Sequence, residues 1–158
     1  MPQIHFYLVD AFTNKIFGGN PAAVCPLDAW LPDDVLLAMA REHNQSETAF
    51  FLKSDKGFEL RWFTNLGEID LCGHATLATA HLIFSHLGYQ EKEITFYTRF
   101  SGELTVKKEQ EGLMLNLPAW MPDKCADMPM FALEGLGGSV PLNAFVKRDY
   151  MFVYASAD

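Results

Sequence analysis

Three side chains in this sequence pair a titratable group with a setting that would sharpen it: Glu47, Cys72 and His74. Glu47 lies between the polar stretch Asn44-Gln45-Ser46 and the apolar run Ala49–Leu52, where burial would raise a carboxyl toward the working range of a general base. The same position also fits an acid that faces solvent at the start of a strand. His74 opens a long apolar segment, where an imidazole donates to a ligand or simply caps a turn. Beside a helix N-terminus the Cys72 thiol can ionise more easily and act as an acid or base, yet most isolated cysteines are inert small hydrophobes. The turn Cys72-Gly73-His74-Ala75 itself is built of small residues. The unpaired N–H groups and the positive dipole end of a helix starting there favour an anion.

Other chemistries find less support. As a hydrolase nucleophile Cys72 has no evident base and orienting acid in the local sequence. His74 and His81, seven residues apart, lack a third ligand nearby, so no metal site is expected. No P-loop, GxGxxG run or nucleophile elbow occurs, which removes the usual nucleotide and hydrolase readings.

The elements that must hold these residues follow from the pattern of apolar positions. His74 to Leu87 contains no Pro or Gly and is apolar at nearly every azimuth, the mark of a buried helix, and Gly88 directly after it can take the left-handed closing conformation. Residues 3–9 read as a strand with both faces largely apolar and therefore covered on each side. Ala22 to Cys25 is a short strand stopped by Pro26. A helix starts at Leu31-Pro32-Asp33-Asp34, with Pro in the first turn, and Leu36, Met39 and Ala40 form its buried face before it ends near Asn44. Ala49–Leu52 and residues 58–64 form a hairpin about Lys56-Gly57, the second strand pointing Phe58, Leu60 and Trp62 inward. Residues 94–100 and 103–108 form another hairpin, followed by a strand with Leu113, Leu115 and Leu117 on one face. The sum is an α+β lobe: a curved, mostly antiparallel sheet wrapped around one central buried helix, 74–87, with the 32–44 helix outside. Residues 1–118 make this lobe. Residues 119–158 read as an irregular crossing, a short helix over Phe131–Leu136 and a strand pair over Asn143–Lys147 and Tyr150–Tyr154, the beginning of an incomplete second lobe.

Composition bounds the partners. With 158 residues, 49% of them hydrophobic, the chain has the make-up of an ordinary globular protein. A formal net charge of −8 without a Lys/Arg cluster argues against nucleic acid. No apolar run approaches the ~20 residues of a membrane span. Cys25, Cys72 and Cys125 are odd in number, widely spaced and free of any CxxC pair, which fits a reducing cytoplasm.

Five stretches together resemble one family. They are Val9-Asp10-Ala11-Phe12-Thr13, Phe17-Gly18-Gly19-Asn20-Pro21-Ala22-Ala23-Val24, Asn44-Gln45-Ser46-Glu47-Thr48-Ala49-Phe50, Arg61-Trp62-Phe63-Thr64 and Cys72-Gly73-His74-Ala75-Thr76-Leu77-Ala78. In order and spacing they are similar to the phenazine-biosynthesis PhzF-like proteins, relatives of diaminopimelate epimerase, over residues 4 to about 118. The resemblance implies two lobes, each a curved sheet around a central helix. It also implies a cofactor-independent isomerase that moves a proton on a small carboxylate substrate. By that pattern Glu47 shuttles the proton, Gly73, His74 and Ala75 hold the substrate at the helix N-terminus, and Asn20 and Ser46 are supporting polar groups. Cys72 is instead a feature of the epimerase relatives, which keeps racemisation or epimerisation open. Family members are about double this length, so the chain reads as the first half of an isomerase with a stub of the second. A non-catalytic anion-binding or interaction module is the competing expectation. The apolar tail is expected to pack on a neighbouring subunit, in a homodimer or higher oligomer.

Overall fold

The structure, a computed structural model, describes residues 3–156, which divide into two compact units between Pro118 and Ala119. The first unit runs β1 (Tyr7–Ala11), β2 (Asn20–Pro26), α1 (Asp33–His43), β3 (Thr48–Ser54), β4 (Gly57–Phe63), β5 (Glu68–Ile69), α2 (Gly73–Ser85), β6 (Glu93–Thr98), β7 (Gly102–Glu109) and β8 (Gly112–Asn116). All eight strands share one sheet in the order β1-β2-β3-β4-β6-β7-β8, with β5 added on β4. Neighbours are antiparallel except β2–β3 and β4–β6, which are parallel. Each parallel pair is joined through a helix, because two strands running the same way need a crossover. α1 serves the first pair and α2 the second.

Alternation along the strands sends the two helices to opposite faces. In β2 and β3, Ala22, Val24, Ala49 and Phe51 join the α2 core, whereas Cys25 and Phe50 face α1 with Leu36 and Ala40. α2 is the centre of the unit: of its 13 residues, nine are buried. It packs against β1, β2 and β3 and also against β8 at the far edge, so the sheet curls around it. Fully buried Leu82 and Ile83 each contribute about 1.5–3 kcal/mol through lost contact with water. Thr76 and Thr79, also buried, spend their hydroxyls on the carbonyls of Cys72 and Ala75 four residues back. The expected α+β lobe, a curled mixed sheet around a buried helix with the second helix outside, is what forms. Phe58, Leu60 and Trp62 point inward as their spacing predicts.

Several local expectations need correction. The first strand begins at Tyr7 rather than residue 3, and Tyr7 and Val9 pack into the α2 core. On the other face Ile4 packs on the α1 cluster and Phe6 stacks on His43, yet Phe6 and Leu8 remain 53% and 58% exposed. Pro32 is the residue before α1, not in its first turn; its carbonyl accepts from the Val35 and Leu36 N–H groups. The hairpin between β3 and β4 turns on Asp55-Lys56, since Ser54 already pairs with Gly57. α2 ends at Ser85, and the chain winds on through His86 and Leu87 before Gly88, at φ 69°, takes the left-handed turn. The loop before β2 has a stricter requirement. Gly19 has φ +72° and a Cβ there would sit 2.1 Å from the Ala11 carbonyl oxygen, so only glycine fits.

The second unit holds β9 (Asp123–Lys124), α3 (Met130–Gly135), β10 (Asn143–Val146) and β11 (Tyr150–Val153), with the strands ordered β11-β10-β9 and antiparallel. The short helix and the strand pair fall within a residue or so of their predicted positions. β9 was not foreseen, as a two-residue strand has no periodicity to read. α3 buries none of its residues, and Phe131, Val140 and Leu142 are 72%, 73% and 67% exposed.

Candidate active site

Glu47 owes its position to the first parallel ladder. Its carbonyl accepts the Ala23 N–H at 3.2 Å, which anchors the residue where β2 and β3 begin to pair. The side chain is 20% exposed. Cys72 stands directly before α2 in an extended conformation, its carbonyl taking both the Thr76 N–H and the Thr76 hydroxyl at 3.2 and 2.6 Å. His74 follows in the first turn, with only 9% of its side chain exposed.

These three groups meet. Glu47 Oε2 lies 3.3 Å from His74 Nε2, and Cys72 Sγ lies 3.3 Å from His74 Nδ1. One donor atom from each residue falls within 4.8 Å of the other two. The Glu47–His74 contact is in ion-pair range but off the hydrogen-bond direction, so the buried Nε2 atom has no aligned partner among the described residues. Sulfur and carboxylate oxygen therefore converge on one side of the imidazole. Glu47 and His74 supply the base and acid that the local sequence did not offer Cys72. They do not line up with the thiol through the ring, as a nucleophile–base–acid relay requires.

Burial pushes the Cys72 thiol up to about 12; the N–H groups of Ala75 and His74 pull it down, and the Glu47 charge pushes it further up. Desolvation wins over the helix N-terminus, so the thiolate is scarce near neutral pH. Burial likewise pushes Cys25 up to about 12, whereas Cys125 is only partly buried. Iodoacetamide at neutral pH should therefore modify Cys125 well before Cys72 or Cys25. Fastest labelling at Cys72 would show a depressed thiol and reverse this reading.

Gly73 is not demanded by the fold. Its φ is not left-handed, and an added Cβ would meet only Leu117 and Leu115 side-chain carbons at 3.7 and 3.8 Å, ordinary contacts. Ala75 is fully buried beneath the first turn. Asn20 begins β2 opposite Ala11 and is half-buried; Ser46 is exposed beside Glu47. Among the described residues neither side chain hydrogen-bonds to the Glu47–Cys72–His74 cluster. His81 and His86 stack edge to face on the exposed side of α2 and take no part in it. His43, which the sequence reading passed over, contacts the buried Thr48 hydroxyl through Nδ1 at 3.2 Å and stacks on Phe6. Burial holds its pKa below the usual imidazole value. The larger hollows of this unit lie elsewhere. One of 590 Å3 is lined by Trp30, Glu59, Arg61 and Arg99, and another of 790 Å3 lies between β1, α2 and β8. Neither includes the cluster, and chemistry outweighs size in choosing among them.

A family model described as phenazine biosynthesis-like protein matches residues 9–131. The chain belongs to this PhzC-PhzF family. Among curated PhzF-like relatives is an uncharacterized isomerase of Pseudomonas aeruginosa, 50% identical over 135 residues, which cover 85% of this chain and 51% of that protein. The crystal structure of a PhzF family phenazine biosynthesis protein from Enterococcus faecalis superposes with a TM-score of 0.85 at 42% identity, covering 96% of this chain and 57% of that one. A predicted epimerase from Pseudomonas aeruginosa aligns with a TM-score of 0.58 at 27% identity, over 70% of this chain and 41% of its own. The PhzF-like chain described here spans about half the length of the curated relatives it matches. Family and relatives' names support an isomerase-type function. Among the described residues no helix is long and apolar enough to cross a membrane.

Proposed function

We propose that this chain carries the acid/base centre of a cofactor-independent isomerase that shifts a proton on a small carboxylate-bearing metabolite. The observation that carries the reading is the convergence of Glu47, 20% exposed, on His74 at 3.3 Å beside the N-terminus of α2. A carboxylate able to accept a proton next to a helix N-terminus suits abstraction at a carbon whose neighbouring carboxylate that N-terminus holds. In this reading Glu47 moves the proton and His74 orients it. Gly73 and Ala75 present backbone N–H groups to the substrate, with Asn20 and Ser46 at the rim. Gly73 supports it further: with neither backbone nor packing requiring glycine, close approach of a ligand accounts for it. The test is incorporation of deuterium from heavy water into candidate carboxylates. Conjugated acids and α-amino acids that all stay unlabelled over the purified protein would defeat the proposal.

A second reading, racemisation or epimerisation through Cys72, is supported by the 3.3 Å Cys72–His74 contact. It predicts exchange with inversion at the substrate carbon and its loss in Cys72→Ser; the first reading leaves Cys72→Ser active.

Self-association is the other part of the proposal. Phe131, Val140 and Leu142 stand mostly in water, and the forfeited burial is about 25 cal/mol per Å2 of apolar surface. A homodimer or higher oligomer that covers them would recover it. Light scattering on dilute protein should give at least twice the chain mass of 17.8 kDa, falling in Val140→Asp. A well-behaved monomer across the dilution series would sink the idea.

A further inference from the structure

We propose that Glu47, Cys72 and His74 form a three-ligand site for a borderline-soft divalent cation of the zinc class. Three observations point there independently of the family. The donors are of the right kinds: a sulfur, an imidazole nitrogen and a carboxylate oxygen are the set that zinc takes. They converge, all lying within 4.8 Å of one another, although sulfur and carboxylate each sit nearest a different ring nitrogen. Finally, the His74 side chain is nine-tenths buried and its Nε2 has no aligned hydrogen-bond partner among the described residues, although buried polar atoms nearly always have one.

The fit is close in distance. Bonds of about 2.0–2.3 Å at tetrahedral angles separate ligand atoms by roughly 3.3–3.6 Å. Only one ring nitrogen can hold the ion, so one 3.3 Å contact has that spacing: Cys72 if Nδ1 binds, Glu47 if Nε2 binds. The other ligand, within 4.8 Å, then closes in by side-chain rotation. Whichever ring nitrogen binds the ion, the other keeps the proton. On binding, the Cys72 S–H bond breaks, its proton leaves to solvent, and a sulfur–metal bond replaces a metal–water bond. With three protein ligands a fourth position stays open to water or to a carboxylate, the pattern of accessible rather than structural zinc sites. An occupied site would also engage the Glu47 carboxylate and stop the proton transfer proposed above; only this consequence rests on the isomerase reading.

Cobalt(II) serves as the visible probe, with Zn2+ as competitor, on the full chain under anaerobic, reducing conditions. One Co2+ per chain should give a thiolate charge-transfer band in the near ultraviolet, which one equivalent of Zn2+ abolishes. Cys72→Ser should remove the band, and Cys25→Ser and Cys125→Ser should keep it. Glu47→Gln, which retains Cys72, should weaken binding by at least the roughly 10–100-fold that losing a mere supporting contact costs. Absence of the band in the intact protein overturns the site. So does a band that survives Cys72→Ser, or an affinity unchanged in Glu47→Gln. Heavy-water exchange separates the two proposals: a band with the expected mutant pattern upholds the metal site even where metal-free protein exchanges no substrate, a result that rejects the isomerase reading alone.

Discussion

If Glu47 moves the proton as proposed, Glu47→Gln should abolish proton exchange while leaving the fold nearly intact. The amide is the same size as the carboxyl, and the 20% exposed side chain makes no hydrogen bond that anchors the lobe. Its backbone contact, the carbonyl accepting the Ala23 N–H, is unaffected. An amide cannot accept a proton at neutral pH, so general-base catalysis, typically worth 10²–10⁴-fold, disappears with the carboxylate. Deuterium entry into a substrate that the unaltered protein labels should drop by about that factor. The denaturation midpoint should hardly move. Exchange at the unaltered rate would remove Glu47 from the mechanism and pass the task to Cys72 or His74. Loss of both exchange and stability would assign Glu47 to architecture instead.

Arg61→Met costs about 3 kcal/mol of stability, and the second change Glu68→Leu returns most of it. Arg61 is 11% exposed, and it grips Glu68 with two parallel bonds of 2.7 Å. Its guanidinium lies 5.1 Å from the centres of both the Trp30 and Phe63 rings. The contact with Glu68 holds the Arg61 pKa well above its usual value. Asp33, 59% exposed, also reaches Arg61 at 2.8 Å, but an ion pair that wet contributes only about 0–1 kcal/mol. Methionine keeps the apolar stem between the rings. The loss then comes from Glu68, 12% exposed, left with only the exposed Arg99 at 3.0 Å. A buried charge deprived of its partner costs about 3–5 kcal/mol, and Arg99 keeps the figure at the low end. Urea unfolding of the two single variants and the double variant decides it. A loss below about 1 kcal/mol in Arg61→Met would mean that water, not Arg61, satisfies Glu68.

Legibility in the sequence followed burial. α2 was readable because Ala75, Leu77, Ala78, Ala80 and Ile83 are spread around the helix, and a helix apolar on nearly every side has one explanation. β4 was readable because Phe58, Leu60 and Trp62 alternate with Glu59 and Arg61. The first strand misled, since apolar Phe6 and Leu8 predict full cover, yet both stay more than half exposed; side-chain type reports preference, not neighbours. At the candidate site each of Glu47, Cys72 and His74 was suspect singly. Their convergence was implied by the family resemblance but by no local pattern, because β3 brings Glu47 to α2 from 27 residues before His74, across a ladder whose parallel register no short stretch encodes. Nor did the sequence show that desolvation outweighs the helix N-terminus at Cys72. That balance depends on what packs around the sulfur.

α2 lies inside the crossover from β4 to β6, whose parallel pairing matches Phe58 with Phe96 and Leu60 with Thr98. That placement sets an order of assembly. The hairpin of β3 and β4 can form from neighbouring sequence, but β6 must be present before the sheet can close past the helix. Until then a largely apolar helix has one side open to water, a state prone to sticking to other chains. The entropy of closing a long connection is spent before its contacts are gained, which slows folds of this kind. The turn at Cys72, Gly73 and His74 therefore acquires its final shape late, when a strand synthesised after it locks the helix in place.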